Sequence, residues 1–208
     1  MKIETIENFL YKEDLKTISS LDLEMPEKDK IRVYHNKITK NNEIYSECLS
    51  KDSILRFQKN YHDRAIKLLN DLNPNKLLLY DYSEFHIIIT GMGAKFPIHD
   101  DTPDKLLSGV IYIKPELSTG TSFYETKKGV GKKTVEWKVN RGVFFSRSEG
   151  KSWHSYEGDG KSNRVALVYN LMTNRIKDVY KIEKKNYHLG KFRYWINPYL
   201  YKFLKLTI

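Results

Sequence analysis

From Lys76 onward the chain is a succession of short runs rich in β-branched and aromatic residues: Leu77–Tyr80, Phe85–Thr90, Gly109–Ile113, Thr121–Tyr124, Val135–Val139, Gly142–Phe145 and Val165–Leu171. Glycines, charges and pairs such as Asp159-Gly160 separate them. Seven or eight strands at this spacing predict a sandwich or jelly roll. The first third has a different texture. Ile6, Phe9, Leu10, Leu15, Ile18 and Leu21 recur near helical spacing, and Leu55, Phe57, Tyr61, Ala65, Leu68 and Leu69 mark a longer helix that Asp52 or Ser53 could cap. The predicted fold is therefore mainly β with helices (α+β), a jelly roll with N-terminal helices packed outside. Its parts are a helical layer over residues 1–75, a β core over 76–172, and a basic, aromatic extension over 173–208 that holds a short helix and an extended end, all in one domain of 208 residues.

Composition narrows the setting. Apolar residues make up 40% of the chain, enough for a core. A single cysteine, Cys48, excludes a disulfide scaffold and a four-thiolate zinc site and fits a reducing compartment. No apolar stretch approaches the ~18 residues of a membrane span, so the expectation is a soluble, cytoplasmic protein. The formal net charge of +10 suggests a polyanionic partner. Sorted by position, however, residues 1–110 hold 16 basic and 18 acidic side chains, and residues 111–208 hold 20 and 8. Lysine supplies 28 of the 36 basic groups, which disfavours nucleic acid and leaves a hint of an acidic substrate.

The chemistry gathers at three places. Phe96-Pro97-Ile98-His99-Asp100-Asp101 follows the glycine turn Gly91-Met92-Gly93, and on an extended segment His99 and Asp101 leave the same face. His154 lies at the mouth of a later strand, in Trp153-His154-Ser155-Tyr156. Two imidazoles and one carboxylate on one side of a metal leave positions open, the ligand set of non-haem Fe(II) oxygenases. Ten residues after His154, Arg164 opens the apolar run Val165-Ala166-Leu167-Val168. A guanidinium there needs an anion, and a carboxylate matches it in bidentate fashion.

His99-x-Asp101, His154 and Arg164 together resemble the signature of the Fe(II)/2-oxoglutarate-dependent oxygenases, in particular the prolyl-4-hydroxylase-like branch, over about residues 76–172. The resemblance implies a double-stranded β-helix core, with His99, Asp101 and His154 as iron ligands and 2-oxoglutarate and O2 as co-substrates. It also implies that Arg164 binds the far carboxylate of 2-oxoglutarate, with Tyr112 hydrogen-bonding the same carboxylate, and that a C–H bond is hydroxylated with release of succinate and CO2. Thr90 stands where prolyl hydroxylases usually carry a tyrosine, which puts a prolyl-peptide substrate in doubt. The presence of Asp101 speaks for hydroxylation over halogenation. Two other readings stay open: a non-enzymatic jelly-roll module binding carbohydrate or nucleic acid, and a His/Asp/His zinc hydrolase.

Other residues take plainer expectations. His35, His62 and His188 read as surface residues, and His86 as core or outward-facing in preference to a place beside the metal ligands. Trp153 reads as rim packing, Phe96 and Tyr124 as candidates for the substrate cleft, and Arg147 as either a surface residue or a substrate clamp. The lysines of the loop Glu125–Lys133 read as a solvated hairpin tip. The tail aromatics, from Tyr180 through Phe203, read as packing on the barrel or on a second copy of the chain while the lysines stay wet.

Overall fold

The strand Arg164–Met172 is buried at all nine of its positions, which requires cover on both faces. That strand organises the fold. The computed structural model describes residues 1–204; residues 205–208, and the side chains of the tail aromatics Tyr201 and Phe203, lie outside the described residues. In chain order the elements are β1 (Glu4–Ile6), α1 (Lys12–Ser19), β2 (Ile31–Tyr34), β3 (Asn36–Thr39), β4 (Ile44–Ser46) and α2 (Lys51–Leu72). A 3-10 helix (Pro74–Leu79) leads to β5 (Tyr82–Thr90), β6 (Lys95–His99), β7 (Lys105–Lys114), β8 (Thr121–Tyr124), β9 (Lys133–Val135) and β10 (Gly142–Phe145). β11 (Trp153–Glu157), β12 (Arg164–Met172), α3 (Ile176–Ile182) and α4 (Tyr187–Leu204) complete the chain.

The strands form two antiparallel sheets. The larger has the order β1-β10-β7-β12-β5-β3-β4, with β2 also paired to β5; the smaller has the order β6-β11-β8-β9. Side chains alternate across a strand, and here both faces have work. Val165, Leu167, Tyr169 and Leu171 of β12 join Phe85, Ile87 and Ile89 of β5 in a core with Ile54, Phe57, Tyr61 and Leu69 of α2. Arg164, Ala166, Val168 and Asn170, with His86, Ile88 and Thr90, instead line a cavity of about 260 Å³ on the other face. A second cluster, Tyr112, Phe123, Trp137, Val143 and Phe145, holds the two sheets together, with the Phe123 and Phe145 rings 5.3 Å apart. The architecture is the expected jelly-roll-like arrangement of antiparallel sheets with helices.

Several expectations need correction. The first third is not purely helical: β1 through β4 lie within residues 1–75 and extend the larger sheet at both edges. These strands have three or four residues each, too few to display a period of two. Leu77–Tyr80 falls largely in the 3-10 helix that Pro74 opens. The run Val135–Val139 contributes only Val135 to β9. The cap of α2 is Ser50, whose side chain accepts from the Ser53 N–H at 3.1 Å. The extended end expected of the C-terminal extension is the helix α4, and on it Phe192, Trp195 and Tyr199 are more than half exposed instead of packed. Among the described residues no helix is long and apolar enough to cross a membrane.

The C-terminal extension is anchored by buried ions. Arg147, expected at the surface or on substrate, is 2% exposed and lies inside this network. Its Nη1 donates to Glu183 Oε2 at 2.6 Å and its Nη2 to Glu149 Oε2 at 3.1 Å. Lys76 Nζ, also buried, donates to Glu183 Oε1 at 2.6 Å and to the Arg147 carbonyl at 2.5 Å. Glu183 thus joins α3 to the 3-10 helix and to the segment after β10. Removing Glu183 takes from Lys76 its carboxylate partner and from Arg147 its shortest ion pair, a loss of about 3–5 kcal/mol. Glu183→Ala should lower unfolding stability by that amount in urea titration. A loss under about 1 kcal/mol would place the network among ordinary surface pairs.

Candidate metal centre and anion pocket

β6 and β11 are antiparallel neighbours whose register sets His99 directly opposite His154. Their ring centroids are 4.1 Å apart. Each Nδ1 lies 2.9 Å from a carbonyl two residues earlier, that of Pro97 for His99 and that of Ser152 for His154. A carbonyl only accepts, so Nδ1 carries the proton and the Nε2 lone pair is left for a metal. Aromatic rings fix both imidazoles: Phe96 meets His99 edge-on at 4.4 Å, and Phe145 meets His154 at 4.8 Å.

Asp101 follows the end of β6 and is nearly buried. Its Oδ2 accepts from Ser108 Oγ at 2.6 Å and its Oδ1 from Lys105 Nζ at 2.7 Å. Burial opposes the carboxylate charge, but the Lys105 ammonium and the two imidazoles outweigh it and hold the carboxyl well below the usual range. One atom from each of His99, Asp101 and His154 lies within 4.8 Å of the other two. Bonds of about 2.0–2.2 Å set the donors of one metal roughly 3–3.5 Å apart, so gathering this set takes side-chain shifts of up to about an ångström. The donor set, two imidazole nitrogens and one carboxylate, suits Fe(II) or Zn(II) and leaves coordination positions open. Arg147 steadies this corner from behind, its Nε donating to the Asp101 carbonyl at 3.1 Å.

Along the same cavity, toward the first residue of β12, lies Arg164, 2% exposed. Its guanidinium carbon sits 4.9 Å from the Trp137 ring centroid, 5.3 Å from that of Tyr156 and 5.9 Å from that of Tyr112. Its Nη1 reaches the Glu157 carbonyl at 3.3 Å, and its Nε has no hydrogen-bond partner. No carboxylate pairs with it among the described residues. Burial pushes its pKa below the ordinary guanidinium value. A caged cation with an unsatisfied donor is a place where an anion could be received. Tyr112 stands beside it, but the tyrosine hydroxyl donates to Thr121 Oγ1 and accepts from the Thr121 N–H, both at 2.9 Å. Thr121, not Tyr112, forms the cavity wall there.

The three metal-ligand candidates and Arg164 are thus brought to one cavity, with Tyr112 one residue behind its wall. Sequence reasoning missed Lys105, Ser108 and Thr121, which belong to no motif, and Trp137 and Tyr156 as the cage of Arg164. It also misplaced His86, whose side chain faces the cavity and whose Nε2 lies 3.2 Å from Glu84 Oε2. His62 is half-buried against the Tyr80 ring at 4.9 Å instead of at the surface. Trp153 packs at the rim with its Nε1 donating to the Gly150 carbonyl at 3.0 Å. Phe96 lines the groove between the metal loop and α4, and Tyr124 lies outside it, its hydroxyl 2.9 Å from Ser155 Oγ.

The enclosure of His99 has a measurable consequence. Burial, reinforced by His154, pushes its pKa from 6.5 down to about 3. The fold therefore favours the neutral ring. This stability is present above pH 6.5 and is lost as pH falls toward 3, at up to about 1.4 kcal/mol per pH unit. Urea titrations of the metal-free protein should show that slope, and His99→Gln should flatten it. An unchanged slope would assign the acid sensitivity to other groups.

No family model and no curated protein matches the chain in sequence. Solved structures do match in fold. A prolyl-4-hydroxylase from Pseudomonas putida superposes with a TM-score of 0.56 at 16% identity, over 83% of this chain and 92% of that one. A prolyl hydroxylase from Trichoplax adhaerens, in complex with a hypoxia-inducible-factor peptide fragment, gives 0.54 at 11% identity, over 84% and 85%. An oxidoreductase of the 2OG-Fe(II) oxygenase family from Burkholderia pseudomallei gives 0.52 at 15% identity, over 82% and 84%. With the His/Asp/His cluster in place, the chain has the fold of the prolyl-4-hydroxylase-like 2-oxoglutarate/Fe(II) oxygenases.

Proposed function

We propose that the protein is an Fe(II)- and 2-oxoglutarate-dependent dioxygenase that hydroxylates a substrate C–H bond and releases succinate and CO2. The observation that carries this reading is Arg164, a buried cation without an acidic partner in the same cavity as a His/Asp/His set. A zinc hydrolase accounts for the three ligands and leaves Arg164 unexplained. A binding module accounts for neither.

In this reading His99, Asp101 and His154 hold Fe(II), and Lys105 and Ser108 keep Asp101 charged and oriented. Iron with 2-oxoglutarate and O2 supplies the oxidising chemistry. Arg164 receives the far carboxylate of 2-oxoglutarate, satisfying its Nε. Because Tyr112 donates to Thr121 Oγ1, the threonine's own O–H is free to donate to that carboxylate. Tyr112 then acts through Thr121, and the rings of Tyr112, Trp137 and Tyr156 keep water from the ion pair, where low dielectric strengthens it.

Anaerobic addition of Fe(II) and 2-oxoglutarate should produce a visible charge-transfer band, and O2 should then convert 2-oxoglutarate to succinate. Arg164→Ala should raise the 2-oxoglutarate concentration needed for the band by roughly 30-fold or more, as expected for truncating one partner of a buried charge pair at about 2–5 kcal/mol. Fe(II) affinity measured without 2-oxoglutarate should change far less. Absence of the band in the unsubstituted protein would sink the reading, and equal loss of both affinities would make Arg164 a structural residue.

A further inference from the structure

We infer that Glu84, His86 and Asn170 form the subsite for the oxidised substrate, and that the group received there is a cation bearing N–H donors, a primary ammonium or a guanidinium. The inference rests on the oxygenase reading and goes beyond it by naming a substrate class.

Its basis is a polar row across the larger sheet. Ser108 on β7, Asn170 on β12 and Glu84 on β5 are lateral register partners. Ser108 holds Asp101, so at a strand spacing of about 4.8 Å Asn170 lies one strand from the residue that steadies the metal carboxylate. Arg164 is six residues away along the same strand, roughly 20 Å at 3.3–3.4 Å per residue. A co-substrate anchored at Arg164 leaves the Asn170 end of the cavity for the second substrate.

Asn170 is 1% exposed and lines the cavity. Its Nδ2 donates to Glu84 Oε2 at 3.1 Å, while its Oδ1 has no partner. A carboxylate accepts only, so the amide cannot be turned round without facing oxygen toward oxygen. Oδ1 is therefore a fixed, buried acceptor that awaits a donor.

The charge of the row points the same way. Lys105 is in electrostatic reach of Glu84, but its hydrogen bond goes to Asp101. His86 Nδ1 accepts the Asn36 N–H at 3.2 Å, so the ring is the neutral tautomer and presents Nε2–H to Glu84. The Glu84 carboxylate thus receives its hydrogen bonds from two neutral groups, and Lys105, the ammonium in its electrostatic reach, gives its hydrogen bond to Asp101. Asp104 adds a second carboxyl within electrostatic reach. At the nearby groove the cations are engaged: Arg147 with Glu183 and Glu149, and Arg193 with Glu149. An anionic substrate meets the Glu84 carboxylate here, whereas a cation with N–H groups supplies the donor that Asn170 lacks and a charged hydrogen-bond partner for Glu84. The excess of surface lysine that suggested an acidic substrate lies elsewhere, in the β8–β9 turn and the C-terminal extension.

The test is calorimetric titration of the anaerobic Fe(II)/2-oxoglutarate protein with four probes: the Nα-acetyl methylamides of lysine, arginine, norleucine and glutamic acid. Both cationic probes should bind at least tenfold more tightly than the neutral and anionic ones. Glu84→Gln and Asn170→Leu, each checked for folding by its thermal melt, should each weaken cationic binding at least tenfold. No preference for the cationic probes, including no binding of any, would overturn the inference, as would unchanged affinity in either folded variant. The charge-transfer band recorded before titration separates the two readings: without it the oxygenase assignment fails, and with it a missing cation preference counts against this subsite alone.

Discussion

The site exists because two sheets face each other closely enough to share one cavity. His99 and His154 come from adjacent strands of the smaller sheet, and Asp101 is held by Ser108 and Lys105 of the larger one. The smaller sheet and the loop that leaves β6 supply the three donors, which lie within 4.8 Å of one another, and the larger sheet fixes the carboxylate among them. The separation is set by Phe123 against Phe145 and by the rest of that inter-sheet cluster. Behind the larger sheet the helical layer makes the backing rigid. Phe57 and Tyr61 of α2 pack on Phe85 and its neighbours, and Asp14 of α1 accepts from Arg56 at 2.6 Å and from Tyr61 at 2.5 Å. Close packing of this kind transmits position, so the placing of Asp101 on one face depends on apolar contacts on the other.

Buried charge is handled in two different ways, and the difference separates structure from function. Arg147 and Lys76 are inside the protein with their acids, Glu183 and Glu149, within hydrogen-bond distance. Arg164 is equally buried and has aromatic rings and one carbonyl around it. The first arrangement is complete without a ligand. The second, like the Asn170 amide oxygen at the other end of the cavity, leaves a buried polar atom without a hydrogen-bond partner.

The His/Asp/His cluster was legible because its chemistry is carried by residue type and short spacing. His99 and Asp101 leave one side of an extended segment, and His154 with Arg164 flanks the long final strand of the core. The strongest strands were legible too, since β5, β7 and β12 are rich in β-branched and aromatic residues. β6 and β11, which bear the histidines, were not evident as strand runs. Lys95-Phe96-Pro97-Ile98-His99 and Trp153-His154-Ser155-Tyr156-Glu157 mix charge, proline and aromatics, and their pairing with each other supplies the order that their composition does not. The strands within residues 31–46 stayed hidden because runs of three or four residues are too short to show an alternating period. The misplacement of His86 came from the helix layer: odd positions of β5 take the apolar core, and that assigns the even ones, His86 among them, to the cavity.

By itself the sequence determined a mainly β chain with helices, a His/Asp/His set at metal-ligand spacing and an arginine heading an apolar strand, because residue type and local periodicity carry that information. Only the tertiary structure decided which cations are already neutralised. Arg147 and Arg164 look alike as residues in the chain. Glu183, thirty-six residues beyond Arg147, meets the first, and no described acid meets the second. Counter-charge is a matter of distance in space, and the net charge of +10 contains no trace of it.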